Sequence, residues 1–249
     1  MSSSGHLALA QQLWGLREGT LFFDVIVHVG TLVAIAIALR ERIFALAWAG
    51  WTFVLRAPVD EPTREHQRWL GLIAVASVPT ALIGLGLKDW IEAQLRDATY
   101  LGPAFLVTAA LLIVGERLGR RSRDGGALHV LDALWIGTAQ GLAVIPGVSR
   151  SGATVATALF RHVEARTAVD FSLLISIPAV TGAALLTLID ALPELAGASL
   201  LPLGLGFTTA LATGLAAVRA LQWAAGNRRL FPFALYCATL GTWIIGGGL

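Results

Sequence analysis

The sequence predicts an all-α, polytopic membrane protein with about six transmembrane helices, re-entrant half-helices, and two halves related as an inverted-topology repeat. Three observations predict it. Of 249 residues, 56% are hydrophobic and 14% charged, with a mean hydropathy of +0.72, whereas ordinary soluble domains carry about 25% charged residues. Apolar blocks recur along the whole chain. A short serine- and glycine-rich string near the start reappears after an odd number of those blocks.

A hydrocarbon core of about 30 Å calls for roughly 20 apolar residues per helix. Residues 21–39, 69–87, 100–115, 168–188, 199–217 and 230–247 meet or approach that length. Each must be helical, because without water only a helix satisfies its own backbone within one segment. Pro79, Pro103, Pro178 and Pro202 bend or cap these spans. Residues 43–55 are apolar but short, carry Trp48 and Trp51, and lie between Arg42 and Arg56, which predicts an interfacial helix. One membrane domain is expected over 1–249, with no soluble appendage.

Arginine placement predicts orientation. Arg40, Arg42, Arg56, Arg64 and Arg68 fall in one loop, Arg117, Arg120, Arg121 and Arg123 in a second, and Arg219, Arg228 and Arg229 in a third. These loops are expected to be cytoplasmic, and those at 88–99 and 189–198 to be external. The alternation holds if residues 131–160 enter and leave from the cytoplasmic face, as two apolar half-helices around a polar turn. Non-helical backbone survives at membrane depth only where protein or a wet cavity surrounds it, so this turn is a candidate site.

The repeat rests on two matches. Ser2-Ser3-Ser4-Gly5 resembles Ser149-Arg150-Ser151-Gly152, and Phe23-Asp24-Val25-Ile26 lies against Phe171-Ser172-Leu173-Leu174. Three spans separate the copies, so the second is inverted relative to the first. Pseudo-repeats of about 1–115 and 131–249 are expected, joined by a cytoplasmic loop, 116–130, with the serine turns meeting near the midplane. Chance recurrence of small residues is the bland alternative.

An arginine between two apolar half-helices costs about 2.5 to 3.5 kcal/mol or more unless it is paired. Arg150 has no acid near it in its turn, so its partner is a distant carboxylate or an anionic ligand. Guanidinium geometry suits phosphate. Gly147 and Gly152 expose backbone N–H groups, while Ser149, Ser151 and Thr154 add hydroxyls. A half-helix starting near Ser149 would aim its positive end at the same place. A packing turn with a snorkelling arginine is the structural alternative. In the first copy, Ser2, Ser3, Ser4 and His6 offer a hydroxyl nucleophile beside an imidazole. Gln140 is expected to line the pocket, against a packing role. His28 and Asp24, one turn apart, suit hydrogen bonding within a span better than catalysis.

Charge is too small and scattered for a nucleic-acid surface: the net is +2 and the arginines lie in short loops. Cys237 is the single cysteine, which excludes a disulfide framework and a thiolate metal site. Met1 to Leu16 lacks the basic region and cleavage pattern of a signal peptide.

At these residues the chain resembles the undecaprenyl-pyrophosphate phosphatases, membrane enzymes associated with bacitracin resistance. The motif Pro-Gly-x-Ser-Arg-Ser-Gly-x-Thr stands as Pro146-Gly147-Val148-Ser149-Arg150-Ser151-Gly152-Ala153-Thr154, and a second motif matches from Ser2 to His6. The resemblance implies hydrolysis of undecaprenyl pyrophosphate to the monophosphate at the outer face of a bacterial plasma membrane, which recycles the carrier for peptidoglycan synthesis. It implies a divalent cation, Mg²⁺ or Ca²⁺. By match, Ser3 is the nucleophile, His6 an acid or base, and Arg150 the pyrophosphate clamp. Ser2, Ser4, Gly147, Ser149, Ser151, Gly152 and Thr154 would surround the pyrophosphate.

The family carries a further helix with two acidic positions upstream, so the metal ligands are expected to lie before Met1, where the motif has valine. A misplaced start is the reading; a genuine start at Met1 implies an inactive chain or a scaffold role. The expected partners are a polyprenyl pyrophosphate lipid and the bilayer, and a homo-oligomer is compatible with the sequence. A transporter or flippase of a polyprenyl phosphate, binding without hydrolysis, is the alternative function.

Overall fold

The computed structural model describes residues 2–13, 21–94, 98–119, 128–192, 199–227 and 229–248. Met1, Arg120, Arg121, Arg123 and Arg228, used above for the start and the orientation, lie outside them. In chain order the helices are α1 (Ser3–Leu13), α2 (Leu21–Ala38), α3 (Arg40–Val54), α4 (Glu61–Gln94), α5 (Leu101–Leu118), α6 (Val130–Leu142), α7 (Arg150–Phe160), α8 (Ala165–Ala191), α9 (Leu200–Gly226) and α10 (Phe231–Trp243). No strand occurs among the described residues. The chain is an all-α membrane protein. Four helices are long and apolar enough to cross a membrane, at Leu21–Ala38, Glu61–Lys88, Ala165–Ala191 and Leu200–Gly226, with Phe231–Gly247 a shorter apolar helix. Leu200 is 84% and Leu201 72% exposed, an exterior suited to lipid rather than water.

The chain divides into two compact units. The first comprises the described residues of Met1–Gly19, Ala76–Leu173 and Leu221–Leu249. Here α5 packs against α10 and α7, and Leu9, Leu101, Phe105, Ala109, Cys237 and Ile244 form an apolar core. Small residues permit the close approach of α5 and α10: a Cβ on Gly241 would sit 2.8 Å from the Gly102 carbonyl oxygen, the small-residue contact typical of membrane helices. The arms of the α6–α7 hairpin are joined at their open end. Arg161 Nε donates to Asp132 Oδ1 at 2.9 Å, and the His129 N–H donates to Asp132 Oδ2 at 3.0 Å. Asp132 is fully buried, so loss of Arg161 would strand a charge there.

The second unit comprises Thr20–Val75 and Leu174–Ala220. Gly30 and Gly214 bring α2 and α9 together: a Cβ on Gly30 would lie 2.8 Å from the Phe207 carbonyl oxygen, and one on Gly214 2.9 Å from Ala34 Cβ. Helix α3 exposes Phe44, Trp48, Trp51 and Phe53, the aromatic character anticipated for a helix at a membrane boundary. Gln67 on α4 donates to the Ala49 carbonyl of α3 at 3.3 Å, and the Arg42 guanidinium lies over the Trp69 ring.

Candidate active site

All the residues that the sequence singles out as the site fall in the first unit. The second serine turn is built from α6, the link 143–149 and α7. Helix α6 ends at Leu142, and Gly147 takes φ +90°, a left-handed conformation that glycine adopts without steric cost. Ser149 is the N-cap of α7, its Oγ accepting from the Gly152 N–H at 3.1 Å, which satisfies a donor that the helix leaves open. A residue that sequence reasoning missed, Thr108 of α5, holds this turn from below. Its Oγ1 accepts from the Ser149 N–H at 2.9 Å and donates to the Ala104 carbonyl at 3.2 Å. Nothing in an apolar span separates such a threonine from one that merely satisfies its own helix.

Arg150 is therefore the first residue of α7, half-buried at the positive helix end. Among the described residues no carboxylate or carbonyl engages its guanidinium. Ser151 is half-buried with its Oγ 3.5 Å from Ser149 Oγ. Thr154 is fully buried, and its hydroxyl donates to the Arg150 carbonyl at 2.8 Å. With that proton committed, the Ser172 hydroxyl donates to Thr154 Oγ1. Thr154 thus ties α7 to α8 and faces away from solvent. Gln140, also buried, donates to Thr80 Oγ1 at 3.3 Å. Thr80 in turn donates to the Gly137 carbonyl at 2.8 Å, which puts Gln140 in the α4–α6 seam.

The first serine turn repeats the second. Ser2 Oγ accepts from the Gly5 N–H at 3.2 Å and lies 3.3 Å from Ser4 Oγ. Ser2 is buried, whereas Ser3 and Ser4 are exposed. The two turns meet: a Cβ on Gly5 would stand 2.8 Å from Gly147 Cα, so glycine at both places allows backbone contact. His6 leads away from this junction. Its Nδ1–H donates to the Ser2 carbonyl at 2.6 Å, which leaves Nε2 as the basic nitrogen, and Nε2 lies 2.7 Å from Tyr236 Oη. Both ring nitrogens are engaged, and neither bond goes to Ser3. His28 stands elsewhere, in the second unit, with Nδ1 donating to the Asp24 carbonyl at 2.7 Å, a bond within the span.

A divalent cation wants hard oxygen ligands, carboxylates above all. The turns supply hydroxyls, an imidazole and a guanidinium, and among the described residues no group of three His, Cys, Asp or Glu could hold an ion. The described residues of the two turns do not fit a protein-built cation cage.

Comparison with known proteins gives one consistent answer. Residues 1–243 match the family described as bacitracin resistance protein BacA. The chain is 39% identical over 248 residues to the undecaprenyl-diphosphatase of Carboxydothermus hydrogenoformans, spanning 98% of this chain and 89% of that protein. It is 38% identical to that of Syntrophotalea carbinolica, over 99% of this chain and 90% of the relative. Identity to the undecaprenyl-diphosphatase of Desulfosudis oleivorans is 40%, over 97% and 89% of the two chains. With matching motifs at both turns and a family match over nearly its whole length, this chain belongs to the BacA family.

Proposed function

We propose that this chain hydrolyses undecaprenyl diphosphate to undecaprenyl phosphate and inorganic phosphate, recycling the lipid carrier for peptidoglycan synthesis and thereby supporting bacitracin resistance. The observation that carries this is Arg150: a half-buried guanidinium without a protein anion among the described residues, on a capped helix N-terminus, beside a second serine turn with an imidazole. A diphosphate supplies the missing charge, and a planar fork of donors suits its oxygens. The N–H groups of Ser149, Gly152 and Ala153 are spent within the fold, on Thr108 and on Ser149, so in this reading the Arg150 guanidinium and the N–H groups of Arg150 and Ser151 hold the charge that builds on the terminal phosphoryl group. Ser3 Oγ attacks the terminal phosphorus, the bridging P–O bond breaks, and the lipid monophosphate departs. Water then cleaves the phosphoserine and restores Ser3. His6 takes and returns the proton; Nε2, which faces the Tyr236 hydroxyl at 2.7 Å, exchanges that hydroxyl for Ser3 as it does so. No step here passes through a cation.

Arginine placement supports a multi-pass protein of the plasma membrane, and the resemblance to the undecaprenyl-pyrophosphate phosphatases supports a site toward its outer side. The relatives named above carry the name of a hydrolase, which disfavours transport without cleavage.

The test is purified chain in vesicles given undecaprenyl diphosphate, with phosphate and lipid followed together. Inorganic phosphate released mole for mole with the lipid monophosphate is the expected result. A diphosphate lipid that changes leaflet intact would contradict it.

A further inference from the structure

We propose that Tyr236, on α10, is a positioning residue for His6; this rests on the hydrolase reading above. Residue 236 lies 230 positions from His6 in the chain, yet two independent contacts join them. The rings stack almost parallel, with centroids 5.7 Å apart and planes 4° from each other, and Tyr236 Oη sits 2.7 Å from His6 Nε2.

The direction of that bond follows from the other side of the ring. His6 Nδ1 faces the Ser2 carbonyl at 2.6 Å, and a carbonyl only accepts. Nδ1 therefore carries the proton, Nε2 has a lone pair, and the Tyr236 hydroxyl donates to it. Phe105 closes a third side, edge-on to the imidazole at 5.3 Å. The ring is fixed by a backbone carbonyl of its own turn, a hydroxyl from α10 and an aromatic edge from α5. An imidazole free to rotate about χ2 would present Nδ1–H as often as Nε2, whereas the Tyr236 hydroxyl holds the ring in one orientation until it yields the Nε2 lone pair to the Ser3 proton. Tyr236 removes that freedom. Its anchoring is firm, because α10 packs on α5 through Gly241 and Gly102.

Replacement by phenylalanine separates the hydroxyl from the ring, since Tyr236→Phe keeps the stack and the volume. We expect kcat for phosphate release to fall by about 10-fold, less than the roughly 10²–10⁴-fold that a positioned acid or base contributes because the imidazole itself remains, with KM within about twofold. The second readout is the ¹⁵N spectrum of histidine-labelled protein, with His6 identified by the signals lost in His6→Gln. The pyridine-type Nε2 resonance should move downfield in Tyr236→Phe, as a nitrogen that has lost a donor does. Unchanged kcat and an unmoved resonance in Tyr236→Phe, beside an active wild type, overturn the role of Tyr236 and leave the hydrolase reading standing. A fall in kcat with the resonance unmoved also overturns it, since Tyr236 would then act elsewhere than on His6. A wild type that releases no phosphate overturns both.

Discussion

The two serine turns share one local structure and differ in the chemistry placed on it. Ser2 and Ser149 each cap an eleven-residue helix by accepting from the N–H three residues on, at 3.2 and 3.1 Å. Each lies near the hydroxyl of the serine two positions later, at 3.3 and 3.5 Å. Superimposing the strings on these caps sets Ser3 opposite Arg150 and His6 opposite Ala153. The first turn thus carries an exposed hydroxyl and an imidazole, while the second carries a guanidinium and a buried methyl. The same cap occurs twice, and the difference between the turns lies at two positions on each: a hydroxyl and an imidazole on one, a guanidinium and a methyl on the other.

Breaking the first turn should have the largest effect. His6→Ala removes the acid or base and lowers kcat by about 10²–10⁴-fold, measured as phosphate release from undecaprenyl diphosphate. Ser3→Ala should lower it at least as far; retention of most activity would assign the attack to water. Importing the first turn's chemistry into the second, as Ala153→His, should rescue neither variant, because position 153 is buried.

The junction comes next. Gly147→Ala forces a Cβ onto a left-handed backbone and to within 2.7 Å of Ala104 Cβ. About 1–2 kcal/mol of backbone strain and about 1–3 kcal/mol of overpacking should appear as a lower unfolding temperature in detergent. Gly5→Ala places its Cβ against Gly147 Cα from the other side and should also lower kcat, since it parts the two turns. A Gly5→Ala enzyme with normal turnover would show that the turns do not work together.

The smallest effect concerns the short link between α7 and α8. Glu164 caps α8, accepting from the Thr167 N–H at 2.8 Å and the Thr167 hydroxyl at 3.0 Å. Partial burial raises its carboxyl, but the bonds from Thr167 and the Arg166 N–H outweigh it and hold the group below the ordinary glutamate range. A depressed folded value stabilises the protein above the unfolded value, and that contribution is lost as the pH falls through the folded one. Glu164→Ala should therefore cost about 0.5–2 kcal/mol at neutral pH. The gap between variant and wild type should close in acid, as followed by thermal unfolding across the carboxylate range.

Most of this architecture was legible in the sequence, because solvent dictates it. Apolar runs of bilayer length can only be helices; of the six runs, four are covered by helices long and apolar enough to cross a membrane, α2, α4, α8 and α9, and the other two by the helices α5 and α10. The polar turn at 143–149 was legible for the same reason, and the half-helix anticipated near Ser149 begins at Arg150. The string Ser149-Arg150-Ser151-Gly152 announced a cap and a charge together. Long-range partnerships were not legible. Tyr236 looks in sequence like an aromatic in a lipid-facing helix, and Thr108 like a threonine bonded to its own turn; only the packing of α10 and α5 brings one to His6 and the other beneath Ser149. Thr154 and Gln140 show the converse. Their residue types suit a polar pocket, but in the fold the Thr154 hydroxyl joins α7 to α8 and the Gln140 amide nitrogen joins α6 to α4, because a buried donor must find an acceptor wherever packing puts it.

The central claim is that Arg150 meets the charge of a diphosphate, and parallel initial rates of phosphate release by wild type, Arg150→Ala and Arg150→Lys test it most directly. Loss of one preorganised electrostatic donor predicts a fall in kcat of about 10²–10³-fold for alanine, with lysine recovering part of it because charge returns without the fork. Turnover near the wild-type rate in Arg150→Ala, in a folded protein, would contradict the account.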